Sequence, residues 1–345
     1  MGRGLVRARL HQLDLAVADY DQAIMLKPDY DEAAFNRGHA YLEHRNFVLG
    51  WQGYEHRFQM PSVGTRYLPN IPIWGGDDIH GLLLVNGEQG LGDQLLFGSV
   101  LYDLVHQHRE ICVRLDRRLI TLFQRALPSI KVISFEEAVP RDVVAQIALG
   151  SLPQFFRRAE ADFLKSKRPI LTADAKIVSK YRALLAPNGE RVIGINWRSF
   201  QNKYADDKSI ELKDLLPILK EPGCVFVNLQ YGDVAKEIAG LKTLGVKFSD
   251  VLAVDLTNDL EGVAALIEAC DVVVSVSNST AHIAGALGKD VRLMLPYRTG
   301  KLWYWSEAKG QGSLWYPTIQ TFHQDAQGDW TGTIEAVKAS LMGKV

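Results

Sequence analysis

The stretch "GLLLVNGEQGLGDQLLF", Gly81 to Phe97, decides how the chain is read. An apolar run of strand length meets three glycines and two acids, and a helix-like run follows. That is the pattern of a strand turning into a helix at one edge of a parallel sheet. Asp93 stands at the turn, as part of a cofactor cradle, as a catalytic base, or as an ordinary tight-turn residue. The glycines, Gly87, Gly90 and Gly92, do not have the G-x-G-x-x-G spacing of a dinucleotide site. No G-x-x-x-x-G-K-[ST] and no G-x-S-x-G occurs in the chain. Nicotinamide, P-loop and serine-hydrolase chemistry lose ground together.

Outward from this stretch the pattern recurs. "EICVRLD", "IKVISF" and "VAQIALG" follow it, and "RVIGINWRS", "CVFVNLQYG", "DVVVSVSNS" and "VRLMLP" form a second group beyond "LLAPNGER". Short apolar strands with helices between them imply parallel sheets covered on both faces. The fold class expected is α/β, a pair of doubly wound Rossmann-like domains facing each other across a cleft. Ligands in such folds gather at the carboxyl ends of the strands.

Upstream lies a different texture. Shifted by 34 residues, the N-terminus matches itself: Gly4 falls on Gly38, Leu13 on Phe47, Ala16 on Gly50, Val17 on Trp51 and Tyr20 on Tyr54. That period is that of a helix–turn–helix solenoid. The segment resembles the tetratricopeptide family: Ala16, Tyr20, Ala23 and Pro28 close one repeat, and Gly38 and Tyr41 sit where the next expects them. Fewer than two repeats are present, so a longer array or the following domain is expected to cap them. "DYD" at Asp19–Asp21 and Asp29–Asp31 imitates a metal signature, but both copies read as solvated or capping acids of repeat helices.

Bulk properties narrow the function. With 345 residues the chain is long enough for two domains and an appendage. The 39 basic and 40 acidic residues give a net charge of −1, unlike the basic face of a nucleic-acid binder. Cys112, Cys224 and Cys270 have neither disulfide nor zinc spacing, which favours a reducing compartment. No apolar run reaches the ~18 residues of a membrane span, and "MGRGLVRARL" lacks a signal-peptide core. A cytoplasmic location is expected.

In the second group, "VVVSVSNSTAHIAGALG" is a buried strand entering a helix led by Ser277, Asn278, Ser279 and Thr280. These residue types cap helices, and the free amides of a helix start attract anions. "NWRSFQNKYADDKSI" adds Arg198, Lys203 and Lys208 after a strand, as anion partners or as ordinary exposed basic residues.

Taken together, these pieces resemble the glycosyltransferases of the heptosyltransferase type, with the inverting GT-B fold, in particular bacterial relatives fused to tetratricopeptide repeats. The carrying stretches are "EQGLGD" with the preceding "IWGG", "DDKSI", "NLQYGD", "DLTNDLEGVAALIEACDVVVSVSNSTAHIAGALGK" and "WYW…WYPTIQTFHQ…GDW", across roughly residues 72–330 in family order. The resemblance implies a base for an acceptor hydroxyl at Asp93, with Glu88 as second candidate and Gln89, Gly90 and Gly92 forming the acceptor-side loop. It implies a donor phosphate grip at Lys208, with Arg198 and Ser199 nearby and the helix start at Ser277, Asn278, Ser279 and Thr280. Gln230 and Asp233, with Tyr231, lie where relatives hold the nucleoside, and His282 matches a histidine of the phosphate helix. One departure stands out: relatives usually read Asp-Thr where this chain reads Ser277-Asn278, which removes a carboxylate from the donor side.

The expected organisation is repeat helices at 1–62, a linker at 63–80 and an acceptor-side domain at 81–186. A nucleotide-sugar domain at 187–330 and a last helix at 331–345 crossing back to the first half complete it. Expected partners are a nucleotide sugar as substrate and an acceptor, either Ser or Thr of a protein or a lipopolysaccharide-type saccharide. No cofactor, metal, nucleic acid or membrane span is expected. A non-catalytic scaffold that binds a nucleotide is the rival from another class.

Overall fold

Small residues set how closely the first helices pack. The computed structural model describes residues 1–60, 67–108, 110–165, 169–200, 204–246, 248–249, 254–305, 307–308 and 312–343. Four helices come first, α1 (Gly2–Arg9), α2 (Leu13–Leu26), α3 (Asp31–Glu43) and α4 (Phe47–Tyr54). Gly38 of α3 and Gly53 of α4 touch backbone to backbone, and a Cβ on Gly53 would lie 2.5 Å from the Gly38 Cα. In the preceding pair a Cβ on Gly4 would meet the Tyr20 ring at 2.8 Å. Ala16, Tyr20, Trp51 and Tyr54, the residues that repeat at the shift of 34, are all buried. Asp19 is not solvated as expected: it is 5% exposed and pairs with Arg3 at 2.6 Å and Arg7 at 2.8 Å. It ties α1 to α2. Asp29 is exposed and Asp31 opens α3, so "DYD" serves structure in both copies.

Two parallel sheets follow. The first contains β1 (Leu82–Asn86), β2 (Ile111–Leu115), β3 (Lys131–Ser134) and β4 (Val143–Ala148), in the order β3-β2-β1-β4. Helix α5 (Leu91–Gly98) leaves β1 after the glycine-rich turn. The second contains β5 (Arg191–Ile195), β6 (Cys224–Asn228), β7 (Phe248–Ser249), β8 (Val272–Val276), β9 (Val291–Leu295) and β10 (Ile319–His323). Its order is β10-β9-β8-β5-β6-β7, and every pairing is parallel. Counted from β5, this is the 3-2-1-4-5-6 order of doubly wound nucleotide-binding folds. β8 and β9 are buried throughout, as their continuous apolar runs require. Beneath them Trp197, Phe226, Val274 and Met294 share one core with Ile334 and Val337 of the last helix, Thr331–Leu341.

The fold class is the one expected, repeat helices ahead of two Rossmann-like units. The boundaries differ. One unit comprises Met1–Ile170 with Leu302–Ala308, and the other Leu171–Lys301 with Lys309–Val345. The repeat helices therefore share a unit with the first sheet. The boundary expected at 186/187 moves to 170/171 because helix Ala175–Leu185 packs on helix Leu260–Ala269 of the second unit. The last helix belongs to the second unit, where Ile334, Val337 and Leu341 close its core. Strand β10 escaped the sequence reading because its exposed Gln320 and half-buried Thr321 and His323 dilute the apolar run. Among the described residues no helix is long and apolar enough to cross a membrane.

Because Gly53 lies against the α3 backbone, Gly53→Ala should destabilise the fold by about 1–3 kcal/mol through overpacking. A guanidinium midpoint followed by far-ultraviolet circular dichroism checks this. An unchanged midpoint would mean that the helices separate without penalty.

Candidate functional site

In each sheet the chain switches direction beside its first strand, between β1 and β4 in one and between β5 and β8 in the other. Loops leaving those carboxyl ends diverge and open a crevice. The residues singled out from sequence lie on them.

In the first unit β1 ends at Asn86 and the chain turns through Gly87, whose amide donates to the Arg114 carbonyl at 2.7 Å. A Cβ at Gly87 would lie 2.7 Å from that same oxygen, so glycine is required there. Glu88 is 3% exposed and spends both carboxylate oxygens on Arg57: Nη2 to Oε1 at 2.7 Å and Nε to Oε2 at 3.1 Å. The Gly150 amide donates to Oε1 at 3.0 Å. Gln89 adopts a left-handed backbone, φ 56°, and its side-chain amide donates to the Tyr54 hydroxyl at 2.7 Å. Gly90 is the N-cap of α5, and its amide donates to the Asp93 carboxylate at 3.0 Å. Gly92 falls in the first turn of that helix.

Asp93 keeps part of its surface in solvent. Burial, opposed by the Gly90 amide and reinforced by the nearby charge of Glu88, raises its carboxyl to about 6. A carboxylate tuned toward neutrality is a better proton acceptor at working pH than an ordinary one. Asp93 thus caps the helix and holds a proton more tightly than an ordinary aspartate.

In the second unit Asn278 organises the switch point. It caps helix Ser279–Ala286, its Oδ1 accepting from the Thr280 amide at 3.0 Å and the Ala281 amide at 3.4 Å. Its Nδ2 donates to Asn196 Oδ1 and, at 3.0 Å, to the Arg198 carbonyl. Asn196 donates in turn to the Leu229 carbonyl at 3.1 Å and to Thr280 Oγ1 at 3.2 Å. Gln230, 1% exposed, receives the Trp197 and Arg198 amides at 3.0 and 2.7 Å. One amide network therefore ties the ends of β5 and β6 to the helix after β8.

Lys208 is the outlier. It is 2% exposed and, among the described residues, makes no hydrogen bond or ion pair. Burial lowers its ammonium to about 8, which leaves it largely charged at neutral pH. A Cβ on Gly300 would sit 3.1 Å from its Cγ, so the stem is tightly covered. His282 is 3% exposed and its Nδ1 lies 3.1 Å from the Tyr316 hydroxyl. Burial, and then the Lys208 charge, push His282 down to about 3, so it is neutral.

The structure thus brings Arg198, Gln230, Asn278 and Thr280 onto one network, which Ser279 joins through Tyr231, with Lys208 and His282 close to each other. Ser199 and Ser277 are buried, and the Ser199 amide donates to Ser209 Oγ at 3.1 Å. The Arg198 guanidinium pairs with Glu237 at 2.9 Å. Asp233 stands apart, exposed, accepting from the Ala235 amide at 3.3 Å at the start of another helix. Burial raises the Tyr231 hydroxyl, which bonds the Ser279 side chain. Lys203 lies outside the described residues. Sequence reading missed Asn196, Arg57 and Tyr54. Asn196 had a signal, a polar residue at the end of an apolar strand; Arg57 and Tyr54 act across the fold and had none. Among the described residues no group of three His, Cys, Asp or Glu side chains is placed to hold a metal.

An acid whose folded pKa lies above its unfolded value destabilises the fold once pH rises past the unfolded value. For Asp93 that window runs from 3.8 to about 6. Asp93→Asn, which keeps an oxygen for the Gly90 amide, should raise the thermal midpoint near neutral pH. The gain should shrink as pH falls through 6; a gain that is independent of pH would contradict the raised carboxyl.

Residues 4–44 match the family described as "TPR repeat". Over 98% of its length the chain is 31% identical, across 368 residues, to Protein FlbA of Caulobacter vibrioides. It spans 60% of that relative's length. Among solved structures it is similar to the ADP-heptose lps heptosyltransferase II of E. coli, 13% identical, covering 76% of this chain and 99% of that one with a TM-score of 0.49. It is also similar to a glycosyl transferase family 9 protein of Veillonella parvula, 10% identical, covering 76% and 93% with a TM-score of 0.47. The chain is thus similar to tetratricopeptide-repeat proteins in its first helices.

Proposed function

We propose that the chain is an inverting, metal-independent glycosyltransferase that moves a sugar from a nucleotide-sugar donor to a hydroxyl acceptor. The observation that carries this reading is Lys208, a buried cation with no partner among the described residues. Burial disfavours the charged ammonium, so such a site favours an anion. A donor diphosphate supplies one. The helix start at Ser279 and Thr280 lies on the same unit and adds its dipole.

In this reading the acceptor oxygen attacks the anomeric carbon from the face opposite the diphosphate. Asp93 takes the acceptor proton as the new C–O bond forms, and the bond to the diphosphate breaks with its electrons going to the phosphate oxygen. Lys208 stabilises that charge electrostatically. Arg198, Ser199 and Gln230 shape the loop around it, and Asp233 faces solvent, available to ribose hydroxyls. Glu88 acts through the loop rather than on substrate, since Arg57 occupies its carboxylate. We favour Ser or Thr of a protein as acceptor, because a repeat segment serves a peptide better than a small sugar; the alternative is a lipopolysaccharide-type saccharide.

One observation favours a second reading, a nucleotide-binding scaffold without turnover. Asn278 already consumes two amides of the helix start, and Asp93 caps α5. Both readings need the Lys208 site, and only the first needs Asp93 as a base.

A thermal-shift panel with ADP, UDP, GDP, CMP and dTDP, each with and without magnesium, tests the donor site. One nucleotide, at 100 times its dissociation constant, should stabilise the native chain by about 2.7 kcal/mol, independently of magnesium. Lys208→Met should abolish that shift. It should also raise the ligand-free midpoint near neutral pH, because a lysine depressed by burial destabilises the fold below its shifted pKa, about 8. No shift with any nucleotide would count against the donor site.

A further inference from the structure

The loop that presents Asp93 is gripped from behind by the repeat helices. Arg57, in the turn Glu55–Gln59 after α4, is fully buried. Its guanidinium meets Glu88 through two nitrogens, Ser151 Oγ at 2.7 Å, Glu55 at 2.6 Å and the Tyr54 carbonyl at 3.2 Å. Tyr54 accepts from the Gln89 side chain and lays its ring 5.8 Å from Phe97 of α5 and 4.5 Å from the Arg57 guanidinium. Gln89 is the residue whose left-handed backbone needs holding, because an L side chain rarely adopts φ 56° unaided. Glu88, Gln89 and Gly90 are thus bonded in succession, the first two to repeat side chains.

Adhesion alone does not require this. Trp51 Nε1 donates to the Arg157 carbonyl at 2.6 Å, Arg45 pairs with Glu160 at 3.0 Å, and Phe47 packs on Phe163 at 4.9 Å. Those contacts already fasten α4 to the rest of the unit at a distance from the loop. The Tyr54 and Arg57 contacts converge on Glu88 and Gln89, two of the three residues between β1 and the N-cap of α5. The chain could have fastened its helices without touching them.

We propose that Tyr54 and Arg57 are positioning residues for Asp93. The repeat segment sets the conformation of the loop that carries the base, and is part of the transfer site as well as a docking surface. This inference rests on the reading of Asp93 as the base. Glu88, Asp93, Tyr54, Glu55, Arg57 and Tyr67 are the charged or titratable groups whose fields act on the loop.

Two variants of the full chain test it, each read without substrate. Tyr54→Phe keeps the ring and removes the oxygen that Gln89 needs. Hydrogen exchange by mass spectrometry should quicken about tenfold over Gln89–Asp93, with β1 and the α4 helix unchanged. The double variant Arg57→Gln, Glu88→Gln replaces the ion pair by two amides. A ¹³C titration of the Asp93 carboxyl, assigned by comparison with Asp93→Asn, should show its midpoint falling from about 6 as the Glu88 charge is removed. A staple that fastens the helices without acting on the loop would leave exchange over Gln89–Asp93 unchanged in Tyr54→Phe. Unchanged exchange in Tyr54→Phe overturns the proposal, as does an unchanged midpoint in the double variant; should the double variant fail to fold, Tyr54→Phe decides alone. Neither measurement involves glycosyl transfer, so an inactive native chain would remove the enzymatic reading and leave both readouts interpretable.

Discussion

A guanidinium with no exposed surface persists only if its donors are matched, and Arg57 is the side chain on which the first unit turns. Burial opposes its charge, but Glu88, Tyr54 and Glu55 outweigh that and raise its pKa. Breaking such a pair from one side costs about 3–5 kcal/mol because a charge is left buried and alone. The contact therefore fixes the end of α4 against the loop after β1. It also explains why the repeat helices and the first sheet form one unit rather than two. The repeat helices share aromatic packing and an ion pair with their neighbour.

The second unit depends on an amide instead. Asn278 stands where relatives usually read Thr, one residue after the position of their acid, and its surroundings give the reason. Its Nδ2 faces two oxygens, Asn196 Oδ1 and the Arg198 carbonyl, while its Oδ1 faces two amides. Only a side chain with a donor on one arm and an acceptor on the other satisfies all four. An aspartate there would set a carboxylate oxygen against carbonyl oxygens. The departure thus has a structural logic of its own. It leaves Lys208 as the strongest cation at this site, since Arg198 is partly neutralised by Glu237.

Much of this was legible in the chain. Every apolar run quoted from "GLLLVNGE" to "VRLMLP" became a parallel strand, because buried central strands must be apolar on both faces. The shift of 34 and its small residues gave the helix pairs, whose close approach at Gly38 and Gly53 no other residue type allows. Strand-end position brought Arg198, Gln230, Asn278 and Thr280 to one network. What failed to show depended on partners distant in sequence. Glu88 reads as a free acid until Arg57, 31 residues away, is folded against it. Asp19 reads as a solvated acid until Arg3 and Arg7 close over it. The final helix carries a helical pattern that fits either sheet, and only the core around Trp330, Ile334 and Val337 chose.

The central claim is that Asp93 serves glycosyl transfer, and cells that express the chain provide the most direct measurement. Peptide mass spectrometry of extracts containing either the native chain or Asp93→Ala should find sugar-mass additions on Ser or Thr with the former. With the variant these should fall by about 10²-fold or more, the contribution of a positioned base. Equal additions with both chains, or none with either, would contradict the account.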